Sequence, residues 1–408
     1  MRLVRILAML LLTAVIVPSY AAKKEDEKKA PPANSIDAAT GKILTEAIEA
    51  LNAEKYSAAS AAIAKIKLDG LSPYERSRVE QILATIDHSQ DKYASARGHL
   101  NAAITAGGLN EEEVSQTKYQ IAQLFLAEEK WKEGAAALED WFRTATKPNS
   151  AAYYLLAVAY YQQDLFAKAL APAQKAVDLA EKPQESWIQL VLALHLQQEH
   201  WKEAVPLLNR LINMAPDKKT YWQQLSSVYG QLEQYSQALA VTQLAYSAGL
   251  LDNDSDVRRL ADLLMFNDVP YRCGQILEDA MAKKIVTVDA KSYEKLANCW
   301  IAAREFSKSI EPLSRAAEMS GNGNLYVRLG EVQVQRSNWD GASAALSKGI
   351  KKGGLKDTGN AQLMLGIALY NQKKLTEAEE WFKKAKSSDK SRQTAEGYLQ
   401  LIQAQAAG

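Results

Sequence analysis

Charge of one sign is what this 408-residue sequence most plainly lacks: 49 Lys and Arg stand against 48 Asp and Glu, a formal net charge of +1. No long-range field therefore favours nucleic acid or an anionic membrane surface, and nucleic-acid binding is excluded on that ground. Chemically versatile side chains are as scarce, with 2 Cys and 4 His in the whole chain. His88, His99, His195 and His200 are not grouped in the sequence with carboxylates or cysteines at metal-ligand spacing. There is no CxxC motif, no Walker-type phosphate loop, no GxGxxG after a strand, no GxSxG elbow and no HExxH. Paired carboxylates such as Glu379-Glu380 and the run from Glu111 to Glu113 are accounted for by solvation and by the positive end of a helix. The sequence predicts no catalytic residue, no metal site and no cofactor.

What is present is a period. A small residue recurs as a marker at Ala59, Ala96, Gly134, Ala169, Ala204, Ala238, Cys273, Ser309, Ala342 and Ala378, in steps of 37, 38, 35, 35, 34, 35, 36, 33 and 36. Three residues ahead of each marker stands an aromatic or large apolar residue: Tyr56, Tyr93, Trp131, Phe166, Trp201, Tyr235, Phe306, Trp339 and Leu375, with Pro270 as the one departure. Twelve to thirteen residues before the markers a second pair repeats, as in Leu83-Ala84, Ile121-Ala122, Leu296-Ala297, Leu329-Gly330 and Leu365-Gly366. Each copy reads as a helical hairpin with small residues where two backbones approach.

This arrangement resembles the tetratricopeptide repeat, over about Thr40 to Ser388. The resemblance implies an all-α fold: a right-handed superhelical solenoid of about ten hairpins over residues 40–388, with a capping helix and tail over 389–408 in which Tyr398, Leu399 and Ile402 share one face. It also implies a concave face, lined by the first helix of every pair, that receives a peptide or partner helix. Placed by the small residue of each first helix, that face takes Tyr119, Gln123, Tyr154, Val158, Tyr161, Gln189, Leu196, Gln223, Gln231, Met265, Phe266 and Tyr370. Arg258, Asp262, Glu294 and Glu331 fall on it as well. The lysine, arginine and asparagine clamp by which some family members hold chaperone C-termini is absent. A tyrosine- and glutamine-rich middle suits an extended or polyproline-type segment, with rings stacking on aromatics and free carbonyls accepting hydrogen bonds. Alternatively, several of these tyrosines complete helix packing.

Arg2 and Arg5, the apolar run from Ile6 to Val17 and then Ser19-Tyr20-Ala21 predict a signal peptide over 1–21, cut before Ala22; an uncleaved anchor is the other reading. No cysteine near the cut offers a lipid anchor, so a soluble periplasmic protein is expected. Residues 22–39, charged and proline-bearing, read as a flexible leader, or else as a docking peptide. In an oxidising compartment Cys273 and Cys299, on helices expected to be neighbours, are candidates for a disulfide closing a loop of about 25 residues, worth roughly 3 kcal/mol. Otherwise they are two buried small residues.

The function expected is a non-enzymatic scaffold or adaptor for envelope proteins. The exported form, the leader, the repeat number and the late cysteine pair resemble the periplasmic tetratricopeptide proteins found with TonB systems. That resemblance implies a helper of outer-membrane uptake working with TonB, ExbB and ExbD. The alternative is a periplasmic chaperone for outer-membrane or secreted proteins.

Overall fold

The computed structural model describes residues 35–407. The expected signal peptide and all but the last residues of the leader lie outside the described residues. The chain divides into two units between Leu207 and Leu208.

Unit 1 holds the hairpins α1 (Ala38–Asn52) with α2 (Tyr56–Ile63), α3 (Pro73–His88) with α4 (Tyr93–Thr105), α5 (Glu111–Ala127) with α6 (Trp131–Thr144), and α7 (Ser150–Tyr161) with α8 (Phe166–Leu179). It also holds α9 (Glu185–Gln197) and the start of α10 (Trp201–Met214). Unit 2 pairs α11 (Lys219–Gln231) with α12 (Tyr235–Ser247), α13 (Asp254–Phe266) with α14 (Pro270–Ala282), and α15 (Ala290–Ala302) with α16 (Phe306–Ser320). It continues with α17 (Gly323–Gln335) and α18 (Trp339–Lys352), then α19 (Thr358–Asn371) and α20 (Leu375–Ala385), and closes on α21 (Asp389–Ala407). The described residues thus form ten hairpins and one further helix, and no strand.

Each second helix opens on the residue three before its marker. Pro270 stands there as the first residue of α14, where its missing N–H is one the helix could not have used. Its departure from the aromatic rule is therefore conformationally neutral. Five residues before every marker sits a left-handed residue: Glu54, Asp91, Glu129, Asp164, Glu199, Glu233, Asp268, Arg304, Ser337 and Lys373, with φ between 56° and 65°. The next residue's N–H reaches back five positions, as in Lys92 to the Asp87 carbonyl at 2.8 Å, Leu165 to Tyr160 at 3.0 Å and Glu305 to Trp300 at 2.8 Å. This closure satisfies the last carbonyls of the first helix and reverses the chain within three or four residues. Most second helices accordingly start without a side-chain cap, whereas first helices use Ser72, Asn110, Asn149, Asn253, Asp289 and Asp357 as N-caps.

The small residues sit where expected for a close approach. In several hairpins the residue four after the marker shares a core with the residue twelve before it, and the pair compensates in size. Ala84 shares a core with Leu100, Ala122 with Leu138, Ala261 with Leu277 and Ala297 with Leu313. Gly366 instead meets Phe382, whose ring would lie 2.7 Å from an added Cβ. In the sixth hairpin the pair is polar, and Ser226 and Thr242 bond to each other at 2.8 Å in a buried site.

One boundary differs in detail from expectation. Asp37 caps α1, accepting from Ala39 N at 2.9 Å, while its own N–H donates to Glu75 Oε1 at 2.7 Å. Residues 37–39 therefore belong to the first hairpin and not to the leader. At the other end α21 seals unit 2: Tyr398 stacks on Phe382 at 4.8 Å and meets Tyr370 edge-on at 5.4 Å, and Ile402 is buried. Cys273 of α14 and Cys299 of α15 are joined by a disulfide, with Cα atoms 5.7 Å apart and both residues fully buried.

Candidate functional site: the first-helix faces

In unit 2 a ladder of polar contacts runs along the first helices from α11 to α17. Lys219 lies 3.3 Å from Asp252 and 3.1 Å from Asp256, and Gln223 Nε2 donates to Asp256 at 2.6 Å. Arg258 pairs with Asp254 of its own helix and donates to Ser292 Oγ at 2.7 Å. Lys295 pairs with Asp262, and Arg328 reaches Glu294 at 3.5 Å and the Asn298 side chain at 2.6 Å. Gln223, expected to be available to a ligand, is thus committed to the ladder. Beside these residues, burial pushes the Glu331 carboxyl up from its ordinary range. Phe266 is 65% exposed and pairs edge-on with Tyr235 at 4.5 Å; Met265 is half-buried and Gln231 exposed.

Unit 1 is different at α7 and α9. The sequence of α7, SAAYYLLAVAYY, contains no Asp, Glu, Lys or Arg, so no ion-pair ladder can cross it. Where unit 2 has ion pairs, Tyr154 stacks on Trp187 of α9, ring centroids 5.2 Å apart and planes 21° from parallel. The Tyr154 hydroxyl bonds Ser186, and burial raises its pKa. Two turns away Tyr161, half-buried, meets Phe166 edge-on at 5.5 Å. Gln123 is half-buried, Leu196 half-buried and Gln189 exposed, its amide donating to Glu185 at 3.1 Å. These residues form a row of rings, amides and aliphatic surface.

Three expected members are withdrawn from such a surface. Tyr119 is 7% exposed, packed on Trp141 at 4.7 Å, and burial pushes its hydroxyl pKa up to about 12. Val158 is 8% exposed. Tyr370 is held by the closing helix, its hydroxyl accepting from Gln405 Nε2 at 2.8 Å. Tyr119 and Tyr370 lose their freedom to a neighbour supplied by another helix, which the period alone does not specify. Trp187 is the residue the sequence reading passed over; its signal was the aromatic at the third position of a first helix, next to the turn that follows α8.

The histidines need one correction. His99 is grouped with carboxylates after all: its Nδ1 lies 2.7 Å from Glu80 and its Nε2 3.5 Å from Asp87. The partners come from α3 and were invisible in the linear sequence around His99. His195 lies beside His200, ring centroids 5.6 Å apart, with its Nδ1 buried and unpartnered, and burial lowers its pKa. No group of three His, Cys, Asp or Glu that could hold a metal ion occurs among the described residues.

Residues 119–186 and 327–393 match the family model of the tetratricopeptide repeat. A tetratricopeptide repeat protein from Parabacteroides merdae is similar at 13% identity, over 73% of this chain and 100% of that one, with a TM-score of 0.39. YrrB, a TPR protein with an unusual peptide-binding site, is similar at 17% identity over 46% of this chain and 90% of its own, TM-score 0.36. In the Cut9–Hcn1 hetero-tetramer of APC/C the likeness covers 90% of this chain and 96% of that one, at 11% identity and a TM-score of 0.31. No curated protein matches the chain in sequence.

Proposed function

We propose that this array of tetratricopeptide-type hairpins is a non-enzymatic adaptor, and that its ligand, an extended segment of a partner protein, lies along the first helices of unit 1. Repeats of this type serve protein–protein interaction. The observation that carries the placement is the contrast between two stretches of first helix: ion pairs tie α11, α13, α15 and α17 of unit 2 together, whereas α7 has no charged residue and offers Tyr154 and Tyr161. Rings stacked at a fixed angle supply apolar planes for proline or aliphatic side chains. Gln123, which stands in the same row, can offer an amide hydrogen to a carbonyl of an extended chain.

The finer reading is that of a periplasmic accessory of TonB-dependent uptake, whose ligand is a proline-rich envelope segment. It is supported by the export-type N-terminus, by the Cys273–Cys299 bridge, which suits an oxidising compartment, and by the character of the face. Photoreactive groups at Tyr154 and Tyr161, crosslinked in intact cells and read by mass spectrometry, test both levels. Capture of TonB, ExbB or ExbD supports the uptake adaptor. A scatter of unrelated outer-membrane clients transfers the face to a chaperone, and no adduct from either position rejects the site.

A further inference from the structure

A second groove runs along the third and fourth hairpins on a different stripe of α7. Tyr153, Leu156 and Tyr160 form its floor, spaced three and four residues apart and offset by one or two positions from Tyr154, Val158 and Tyr161. One wall is Glu139 and Phe142 of α6 together with Pro148; the other is Ala167, Lys168, Ala171, Pro172 and Lys175 of α8, and the volume is about 620 Å³. Phe142 and Tyr153 pack at 4.7 Å, and Lys175 Nζ stands 5.3 Å from the centre of the Tyr153 ring.

Three features say what it would take. First, the α8 wall is basic. Lys168 and Lys175 are exposed, seven residues apart on one face of the helix and so about 10.5 Å apart along it. Neither makes an ion pair, so two positive charges edge an apolar trough. Second, the facing carboxylate, Glu139, already accepts a hydrogen bond from the Tyr160 hydroxyl, and burial together with that bond pushes the Tyr160 pKa up to about 12. An acidic ligand is thus drawn to one wall and repelled by the other, which fixes its orientation. Third, Pro172 lies inside α8 and has no N–H, so the Lys168 carbonyl one turn back has lost its helical donor on the groove side. An incoming backbone N–H can serve it.

We propose that this groove docks an acidic segment of a partner protein in polyproline conformation. Such a helix repeats every three residues with a rise of about 9.3 Å, close to the lysine spacing, so carboxylates at every third position face the α8 wall together. Proline rings between them lie on Phe142, Tyr153 and Tyr160. Neither the first-helix face nor its ligand is needed for this site.

The test uses the whole chain and a labelled peptide of Glu-Pro-Pro repeats, with Lys-Pro-Pro as control, read by fluorescence anisotropy. The acidic peptide is expected to bind saturably and the basic one not. The exposed pair Lys168→Glu and Lys175→Glu should weaken the acidic peptide by roughly tenfold or more and admit the basic one. Ala171→Arg, which fills the trough from an exposed position, should abolish binding, and Tyr154→Ala should leave it unchanged. Equal binding of the two peptides, or an affinity for the acidic one indifferent to both the charge reversal and Ala171→Arg, overturns the groove. Loss with Tyr154→Ala alone would move the ligand to the first-helix face and overturn it as well.

Discussion

Replacing Gly366 by Ala probes how the last hairpin is fitted together. An added methyl would meet the Phe382 ring at 2.7 Å, and that ring is fully buried and stacked on Tyr398 of α21 at 4.8 Å, so it has nowhere to retreat. Overpacking of this kind costs about 2 kcal/mol, from which the better helix propensity of Ala returns about 1, leaving a net loss near 1 kcal/mol. Phe382→Leu alone should cost about 2 kcal/mol, by loss of buried ring and of its stacking partner. The double variant recreates the Ala-and-Leu pair that Ala84 with Leu100 and Ala122 with Leu138 already form. The methyl then fits, and the double variant should lose only about 1 kcal/mol where independent effects would give about 3, a coupling near 2 kcal/mol. Repeat arrays do not unfold as one unit, so the assay pairs urea unfolding with amide exchange in α19, α20 and α21, where local opening is read directly. If the double variant falls within about 0.5 kcal/mol of the additive sum, the two positions do not compete for one volume and the size-compensation argument is wrong.

Reducing the Cys273–Cys299 bridge, which spans 26 residues, should cost about 3.5 kcal/mol of local stability; faster amide exchange confined to α13, α14 and α15 checks it, and unchanged exchange refutes it. Asp164 is exposed with φ 57°, so Asp164→Val should destabilise by about 1–2 kcal/mol while Asp164→Gly is neutral or better, as measured by thermal unfolding. Burial lowers the pKa of His88 and of His195, so the unfolded chain takes up protons first as pH falls through about 6.5. Stability should therefore be full above that value and decline toward pH 5.5. His88→Gln with His195→Gln should flatten the decline in a melting series. Asp254 and Asp289, held below the usual carboxylate range by hydrogen bonds from Arg258 and Ser292, contribute above their unfolded pKa and lose that contribution only on further acidification.

Much of the fold was legible because the period is imposed by local chemistry. Tyr56, Trp131 and Leu375 mark helix starts whatever surrounds them, since each follows the left-handed residue that ends the preceding turn. That left-handed residue was itself hard to see: Glu, Asp, Arg, Ser and Lys all occupy it, and only the backbone reveals that they share one conformation. The candidate face was less legible. Tyr119 and Tyr154 occupy the same place in their repeats, yet Tyr119 is buried on Trp141 while Tyr154 remains half-exposed on Trp187.

The all-α hairpin register, the small contact positions and the absence of charge from α7 follow from spacing along the chain, because they depend on residues a fixed number of places apart along one or two helices. Which first-helix side chains stay available follows from packing. It committed Gln223 and Arg258 to a ladder, buried Tyr119 and Val158, gave His99 its carboxylates and opened a groove between α6 and α8. Those outcomes depend on which helix lies against which, and a side chain's freedom is set by the neighbour that packs on it.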